Sequence, residues 1–164
     1  MISIIAAMDS KNGIGKGNKI PWHIKEDLIH LKNLTKDKVV ILGRKTYESM
    51  ASYYNKSGRP MPGKLYVVVT HDKNYSPDRD NAIIANSLEE ALSKSPNEDK
   101  FITGGGQIFK EALEKNLVDK LYLTIVEGDF DCDTFFPEYK NFKVISEQKG
   151  ESPEFNYKFL TLIK

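Results

Sequence analysis

Residues 101–113 read FITGGGQIFKEAL, and this stretch passes from a strand into a helix through three consecutive glycines. Residues 101–103 form a short run rich in β-formers, whereas the apolar positions 108, 109, 112 and 113 recur at helical spacing. The pairs Lys110/Glu114 and Glu111/Lys115 lie on the other face of that helix. A strand that turns this tightly into a helix is the repeating unit of α/β proteins, in which helices cover a parallel sheet.

Other short apolar runs, rich in Val, Ile, Tyr and Phe, are typical of strands. They are Ile2–Met8, Val39–Leu42, Leu65–Val69, Ala82–Ala85, Phe101–Ile102, Leu121–Val126, Phe142–Ile145 and Phe155–Ile163. Several are almost continuously apolar, which predicts central strands covered on both faces. Since no helix separates the last two runs, they predict an antiparallel pair at the end of the sheet.

Helices are predicted between these runs. One follows Gly105, one opens at the capping box Ser87-Leu-Glu-Glu90 and ends near Ser95, one runs over about Lys25–Asn33, and a short one starts near Arg44. The segments Asp9–Trp22 and Ser52–Gly63 are predicted to be long loops, which are often functional. We therefore predict one α/β domain over residues 1–164, with a mostly parallel mixed sheet, an antiparallel C-terminal strand pair and about four flanking helices.

The charge balance limits the classes of partner. Lys and Arg total 24 against 23 Asp and Glu, so the formal net charge of +1 leaves no surplus to hold a nucleic acid. One cysteine forms no internal disulfide, and the apolar stretch Ile2–Met8 is too short to span a membrane and has no basic leader before it. We expect a soluble cytoplasmic monomer.

Asp27 is the most informative single residue. Ile24, Leu28 and Leu31 define the apolar stripe of the helix that begins near Lys25, and Asp27 falls within that stripe. Burial there raises the pKa of a carboxyl group unless a donor or a cation compensates. The alternative is an acid that favours the helix dipole from a solvated first turn.

The glycines Gly104-Gly-Gly106 place backbone amides at a helix start, where they can bind phosphate. The motif is neither the dinucleotide fingerprint nor a P-loop, so a plain tight turn is the alternative. A second strand-to-helix junction, at Gly43, adds Arg44, Lys45 and Thr46, and Thr70 and His71 follow another strand. Cations and hydroxyls at strand ends suit a phosphate ester, although surface charge explains Arg44 and Lys45 equally well.

Other candidate residues are less specific. Trp22 is consistent with a core anchor for the helix that carries Asp27. His23 and His30 lack a third ligand, so no metal site is predicted, and Cys132 has no partner for redox or nucleophilic chemistry. No Gly-x-Ser-x-Gly motif is present, so a serine nucleophile is not supported.

Taken together and in order, the motifs of this chain resemble those of bacterial dihydrofolate reductases along essentially the whole length. They are Met1-Ile-Ser-Ile-Ile-Ala-Ala7, Ile14-Gly15, Pro21-Trp22, Asp27-Leu28 with Lys32, Ile41-Leu-Gly-Arg44 with Thr46 and Glu48, Gly58-Arg-Pro-Met-Pro-Gly63, Gly104-Gly-Gly106, Leu121-Tyr-Leu-Thr124 and Asp133-Thr-Phe-Phe-Pro137. The resemblance implies reduction of 7,8-dihydrofolate to tetrahydrofolate, with hydride transfer from NADPH to C6 and protonation at N5.

The resemblance also implies roles for individual residues. Asp27 anchors the pterin, Thr124 hydrogen-bonds the Asp27 carboxylate, and a water near Trp22 carries the proton, so these three are the implied catalytic residues. The implied substrate-binding residues are Ile5, Ala6, Asp27, Leu28, Leu31, Lys32, Met50, Arg59, Met61, Lys64, Thr103 and Thr124. The implied NADPH-binding residues are Ala7, Ile14, Gly15, Asn18, Ile20, Gly43, Arg44, Lys45, Thr46, Thr70, His71, Gly104, Gly105, Gly106, Gln107, Ile108, Phe109 and Thr134. The segment Asp9–His23 resembles the family's mobile lid, and antifolates are implied as inhibitors.

Three features depart from the family pattern. Lys64 stands where the family has an Arg for the glutamate tail of folate, and a point charge replaces a bidentate fork. Thr103 stands where an apolar residue usually borders the nicotinamide and the pterin, and Ala51–Ser57 resembles an insertion near the outer end of the folate cleft. Lys64 leaves open a related reductase that acts on another pterin or on a riboflavin precursor. A non-catalytic pterin-binding or nucleotide-binding protein is a further alternative.

Overall fold

The apolar runs assemble into one eight-stranded sheet in the computed structural model, which describes residues 1–17 and 19–164. The strands are β1 (Ile2–Asp9), β2 (Gly13–Gly15), β3 (Val39–Gly43), β4 (Leu65–Val69), β5 (Ala82–Ala85), β6 (Lys100–Gly104), β7 (Lys120–Val126), β8 (Thr134–Phe135), β9 (Lys143–Glu151) and β10 (Asn156–Ile163). The helices are α1 (Lys25–Thr35), α2 (Arg44–Ser57), α3 (Leu88–Ser93) and α4 (Gly106–Glu114).

The strand order in the large sheet is β5-β4-β3-β6-β1-β7-β10-β9. The pairs from β5 to β7 are all parallel, whereas β10 is antiparallel to both β7 and β9. The mixed α/β sheet with an antiparallel C-terminal pair is therefore confirmed. A second, two-stranded sheet pairs β2 with β8 and ties the segment after β1 to the segment after β7.

Register decides which side chains meet on each face of the sheet. Ile4 aligns with Ile102 and Leu121, and all three are fully buried in the core that α3 and α4 cover. Because side chains alternate along a strand, Ile5 and Ala7 project to the opposite face. There Ala7 aligns with Thr124, on the side from which α1 approaches.

Helix α2 is longer than we predicted, and much of the predicted loop over Ser52–Gly63 is helical. The helix runs to Ser57 because Tyr47 and Ala51, one turn apart, are buried beneath it against β3 and β4. Gly58 ends the helix in the left-handed region at φ 70°. The segment Ala51–Ser57 thus forms the last two turns of α2, where tertiary packing overrides the weak helix propensity of Ser, Tyr and Asn.

No helix in residues 1–17 and 19–164 is both long and apolar enough to cross a membrane.

Candidate active site

The side chain of Asp27 lies in the first turn of α1 and points toward the sheet. The Thr124 hydroxyl, from the centre of β7, donates a hydrogen bond of 2.6 Å to Asp27 Oδ1. Thr124 is 3 % exposed and Asp27 is half-buried, so the bond forms in a desolvated place between helix and sheet. The structure thus brings together two of the three predicted catalytic residues, 97 positions apart in sequence.

Burial raises the pKa of the Asp27 carboxyl above its ordinary value, although the Thr124 hydrogen bond and the charge of His30 partly offset the rise. Asp27 is an acid in the first turn of α1, as the alternative held, but it is desolvated by burial and not solvated. A carboxyl held in this way can accept hydrogen bonds from a flat, donor-rich ligand edge.

His30 lies beside Asp27 in this site, although from the sequence we considered it only as a metal ligand. It lies one turn after Asp27, and its ring stacks on Phe159 of β10 with centroids 4.2 Å apart. Burial lowers the pKa of His30, and the nearby Asp27 opposes that shift. The helical i, i+3 spacing of Asp27 and His30 is the signal that could have revealed the contact.

Trp22 closes this end of the site. It is 6 % exposed and packs with Ile24, Val126 and Tyr157, and its ring meets the edge of Phe130 at a centroid distance of 5.2 Å. Ala7 packs against the same cluster. The core-anchor interpretation and a position beside the reacting groups are therefore compatible.

Two helix N-termini converge next to this region. Gly43 caps α2 and Gly105 caps α4, and neither cap uses a side chain, so their amides are open to a ligand. A Cβ on Gly43 would lie 3.3 Å from Ile108 Cδ1 and 3.8 Å from Gly105 N, which shows how closely the two backbones approach. Gly104, at φ 140°, lies against the Thr46 hydroxyl. Paired amides and a hydroxyl form the donor set that binds a pyrophosphate, so these residues fit the nucleotide that the resemblance implies.

Gly43, Gly104, Gly105 and Gly106 together form a glycine cradle, and Gly106 connects it to the segment after β1. A Cβ there would lie 3.1 Å from Thr134 Cγ2 and 3.5 Å from Ile14 Cδ1, so three predicted cofactor residues meet at one point. Gly15 pairs with Thr134 through β2 and β8. Gln107 and Ile20 are exposed, and Asn18 lies outside the described residues.

A small cleft opens between α1 and α2. It is lined by Leu31, Thr35, Val40, Met50, Tyr54, Pro62 and Tyr66. Leu31 and Met50 were predicted here, whereas Tyr54 and Thr35 were missed even though each lies one turn beyond a predicted residue. Leu28 is half-buried, and Lys32 and Arg59 are exposed.

Three of the predicted site residues have side chains that pack in the core. Ala6 aligns with the core residue Leu123, so alternation along β1 directs its side chain away from Thr124. Phe109 is 4 % exposed and packs on Phe136, so its ring supports the glycines from within the core. Met61 is 7 % exposed and belongs to the core under α2.

Thr103 lies next to Gly104, on the face of the sheet that also carries Ile5 and Ala7. Its neighbour two positions back, Phe101, packs near Tyr122 on the face that also carries Ile5. Within the described residues, the Thr103 hydroxyl oxygen is buried and has no hydrogen-bond partner, which costs free energy in the folded state.

The predicted basic residues differ in their surroundings: some are paired with acidic side chains and others are exposed. Lys64 contacts Glu98, so the residue that replaces the family's Arg already has an anionic partner. Arg44 is paired with Glu48 and Asp72. Lys45 and His71 are exposed, and the Thr70 carbonyl accepts a hydrogen bond from Asn86.

The segment after β1 is tied to the segment after β7 by a buried carboxylate. Asp9 is 1 % exposed and accepts hydrogen bonds from the amides of Lys11, Gly13 and Phe130, at 2.9, 2.8 and 3.1 Å. Burial raises the pKa of Asp9, but these three amides and the hydrogen bond from Cys132 together outweigh it and hold the pKa below its ordinary value. Ionised Asp9 thus holds the base of the predicted lid.

Within the part of the chain that the structure describes, no three His, Cys, Asp or Glu side chains gather as metal ligands.

Comparison with known proteins agrees with this geometry. The family model described as dihydrofolate reductase matches residues 1–164. A dihydrofolate reductase of Staphylococcus haemolyticus is 40 % identical over 158 residues, covering 94 % of this chain and 89 % of the relative. The chain belongs to the dihydrofolate reductase family.

Other members of the family show the same likeness. The type 3 dihydrofolate reductase of Salmonella typhimurium is 41 % identical over 140 residues, covering 85 % of this chain and 80 % of the relative. The solved structure of Enterococcus faecalis dihydrofolate reductase, complexed with NADP(H) and RAB-propyl, matches with a TM-score of 0.83 at 30 % identity and covers 99 % and 95 % of the two chains. Fold, family and oxidoreductase class thus agree with the resemblance drawn from the motifs.

Proposed function

We propose that this chain reduces 7,8-dihydrofolate to 5,6,7,8-tetrahydrofolate for one-carbon metabolism, with NADPH as the electron donor. The observation that carries the proposal is the desolvated Asp27–Thr124 pair beside two uncapped helix N-termini. When bound, NADPH supplies a hydride for C6 of the pterin. The residues that would hold it are Gly43, Thr46, Gly104, Gly105, Gly106 and Ile108, joined by Ile14 and Thr134 from the lid side.

The role of Asp27 is to anchor and orient the pterin. Its carboxylate accepts hydrogen bonds from the N3–H and the 2-amino group of the ring, and the Thr124 hydroxyl fixes the carboxylate in the required orientation. Ile5, Leu28, Leu31 and Met50 supply apolar walls for the pterin and benzoyl rings. The proton for N5 reaches the ring through water near Trp22, and the lid limits the entry of bulk solvent.

The test of the function is NADPH oxidation followed with dihydrofolate as acceptor. We expect turnover with NADPH and dihydrofolate, slower turnover when NADH replaces NADPH, and slower turnover when dihydrobiopterin replaces dihydrofolate. A preference for dihydrobiopterin would favour a reductase of another pterin. Binding of both ligands without turnover would favour a non-catalytic binding protein.

The rate of hydride transfer is expected to depend on pH because N5 must gain a proton. Burial raises the pKa of Asp27, so its carboxyl retains a proton to higher pH than an exposed carboxyl does. The rate should fall about tenfold per pH unit above one apparent pKa of the site. Stopped-flow measurement of hydride transfer between about pH 5 and pH 9 checks this, and a flat profile would contradict it.

We further propose that the enzyme acts as a monomer in the cytoplasm. The support is that Asp27, Thr124 and the glycines of the cradle all come from one chain, so the site needs no second copy. Light scattering at working concentrations should give the mass of one chain. A stable dimer would contradict this proposal without affecting the reaction.

A further inference from the structure

Arg44, the first residue of α2, lies where β3 ends, and two acidic side chains are close to it. Its Nη1 is 3.3 Å from Asp72 Oδ2, and its Nε is 3.6 Å from Glu48 Oε1. The guanidinium carbon also lies 4.1 Å from the centre of the Tyr75 ring. One cation therefore faces two carboxylates and stacks on an aromatic ring.

Asp72 is held in place by its own loop. Its second carboxylate oxygen accepts a hydrogen bond of 2.9 Å from the Asn74 amide, and its own amide donates to the Thr70 hydroxyl at 3.2 Å. The Thr70 carbonyl in turn accepts from the Asn86 side chain at 2.8 Å. Because these bonds do not depend on Arg44, the Asp72 carboxylate stays close to any anion that Arg44 binds.

These pairs contribute little to folding. The side chains of Arg44, Asp72 and Glu48 are 41 %, 49 % and 51 % exposed, and ion pairs between such groups are weak in water. Their main effect is on the affinity for an anion. A phosphate bound to Arg44 must either displace both carboxylates or lie next to them. Lys45, His71 and Lys73, all exposed, are the other basic groups nearby in sequence.

We propose that Asp72 and Glu48 are specificity-determining residues that limit the preference of this enzyme for a cofactor with a 2′-phosphate. The inference rests on the proposed function, because it takes Arg44 as the cation for that phosphate. A 2′-phosphate carries close to two negative charges, so it is repelled by both acids, whereas the 2′-hydroxyl of NADH carries none. The two acids thus narrow the difference in affinity between NADPH and NADH.

The test uses two small probes of the adenosine site, 2′,5′-ADP and 5′-AMP, and measures their Kd by calorimetry at fixed ionic strength. Asp72→Asn should tighten 2′,5′-ADP about 5- to 10-fold and change 5′-AMP less than about twofold. Glu48→Gln should act in the same direction by about threefold, since its contact with Arg44 is longer. In an Arg44→Ala background the gain from Asp72→Asn should shrink, because the guanidinium that pairs with Asp72 is no longer there to be freed.

Glu138→Gln is the matched control, since it removes the same charge at a pocket that Glu138 lines together with Leu113 and Asn116, at the C-terminal end of α4. That end lies more than about 13 Å from the Gly105 cap at the usual rise per residue, where salt screens the charge. Glu138→Gln should therefore leave the ratio of the Kd values for 2′,5′-ADP and 5′-AMP unchanged. Thermal unfolding of Asp72→Asn should stay within about 2 °C of the parent chain.

The outcomes separate this inference from the function itself. If the parent chain reduces dihydrofolate with NADPH, but neither Asp72→Asn nor Glu48→Gln raises the preference for 2′,5′-ADP, the inference is wrong and the function stands. If 2′,5′-ADP binds no better than 5′-AMP to every variant and NADPH supports no turnover, both are wrong.

Discussion

Asp27→Asn is expected to lower kcat/KM for dihydrofolate by about 100- to 1,000-fold at neutral pH. Asparagine keeps the size of the side chain but offers only one acceptor oxygen. Its NH2 group is a donor and would face the N–H donors of the pterin edge. The amide also cannot exchange a proton with the site. The affinity for NADPH, measured by calorimetry, should change less than about twofold because the glycine cradle is untouched.

The same substitution should stabilise the fold, and this separates a functional role from a structural one. The pKa of Asp27 is raised in the folded state, so its contribution to stability is present at low pH and is lost as pH rises through the folded pKa. At neutral pH an uncharged Asn removes that cost, and Tm should rise. Glu26→Gln, in the same helical turn but exposed, is the control and should change neither activity nor Tm appreciably. Parallel losses of activity, cofactor affinity and Tm in Asp27→Asn would show that Asp27 is structural.

Gly13→Ala is expected to cost about 2–3 kcal/mol of unfolding free energy, or about 5–10 °C in Tm. A Cβ at this position would lie 2.5 Å from Cys132 Cβ, 2.6 Å from its Sγ and 2.9 Å from Asp9 Oδ2. The carboxylate cannot retreat without breaking its bonds to the amides of Lys11 and Phe130. The methyl group therefore separates the base of the proposed lid from the segment after β7, and kcat should fall with stability.

Two further variants make this prediction specific. Gly15→Ala, two residues along the same segment, should change Tm little, because its nearest contact would be Lys19 O at an ordinary 3.5 Å. Adding Cys132→Gly to Gly13→Ala should recover part of the loss, since it removes both sulfur and Cβ from the clash. Equal Tm values for Gly13→Ala and Gly15→Ala would contradict the packing described at Asp9.

The sequence predicted the sheet well because its strands are continuous apolar runs, and continuous runs are what a doubly covered parallel sheet requires. The capping box at Ser87 was also confirmed, with the hydroxyl accepting from the Glu90 amide at 3.0 Å. The second half of α2 was missed because Ser, Tyr and Asn are weak helix formers, and only the burial of Tyr47 and Ala51 beneath the helix reveals it.

Parts of the site depend on information that one sequence does not contain. Asp27 was recognisable because a carboxylate in an apolar stripe is unusual, but its partner Thr124 entered only through the family resemblance. The contacts of Lys64 with Glu98 and of Arg44 with Asp72 join distant positions, so local pattern could not predict them. The motif match gives the position of Ala6 but not the face of the strand that its side chain takes, which follows from its pairing with Leu123.

The most direct test of the central claim is to follow the transferred hydrogen. With dihydrofolate and NADPH that carries deuterium at the transferable C4 position, NMR of the product should show one deuterium at C6 of tetrahydrofolate per NADPH oxidised. Asp27→Asn should give the same product much more slowly. Oxidation of NADPH without deuterated tetrahydrofolate, or no oxidation at all, would contradict the assignment of this chain as a dihydrofolate-reducing enzyme.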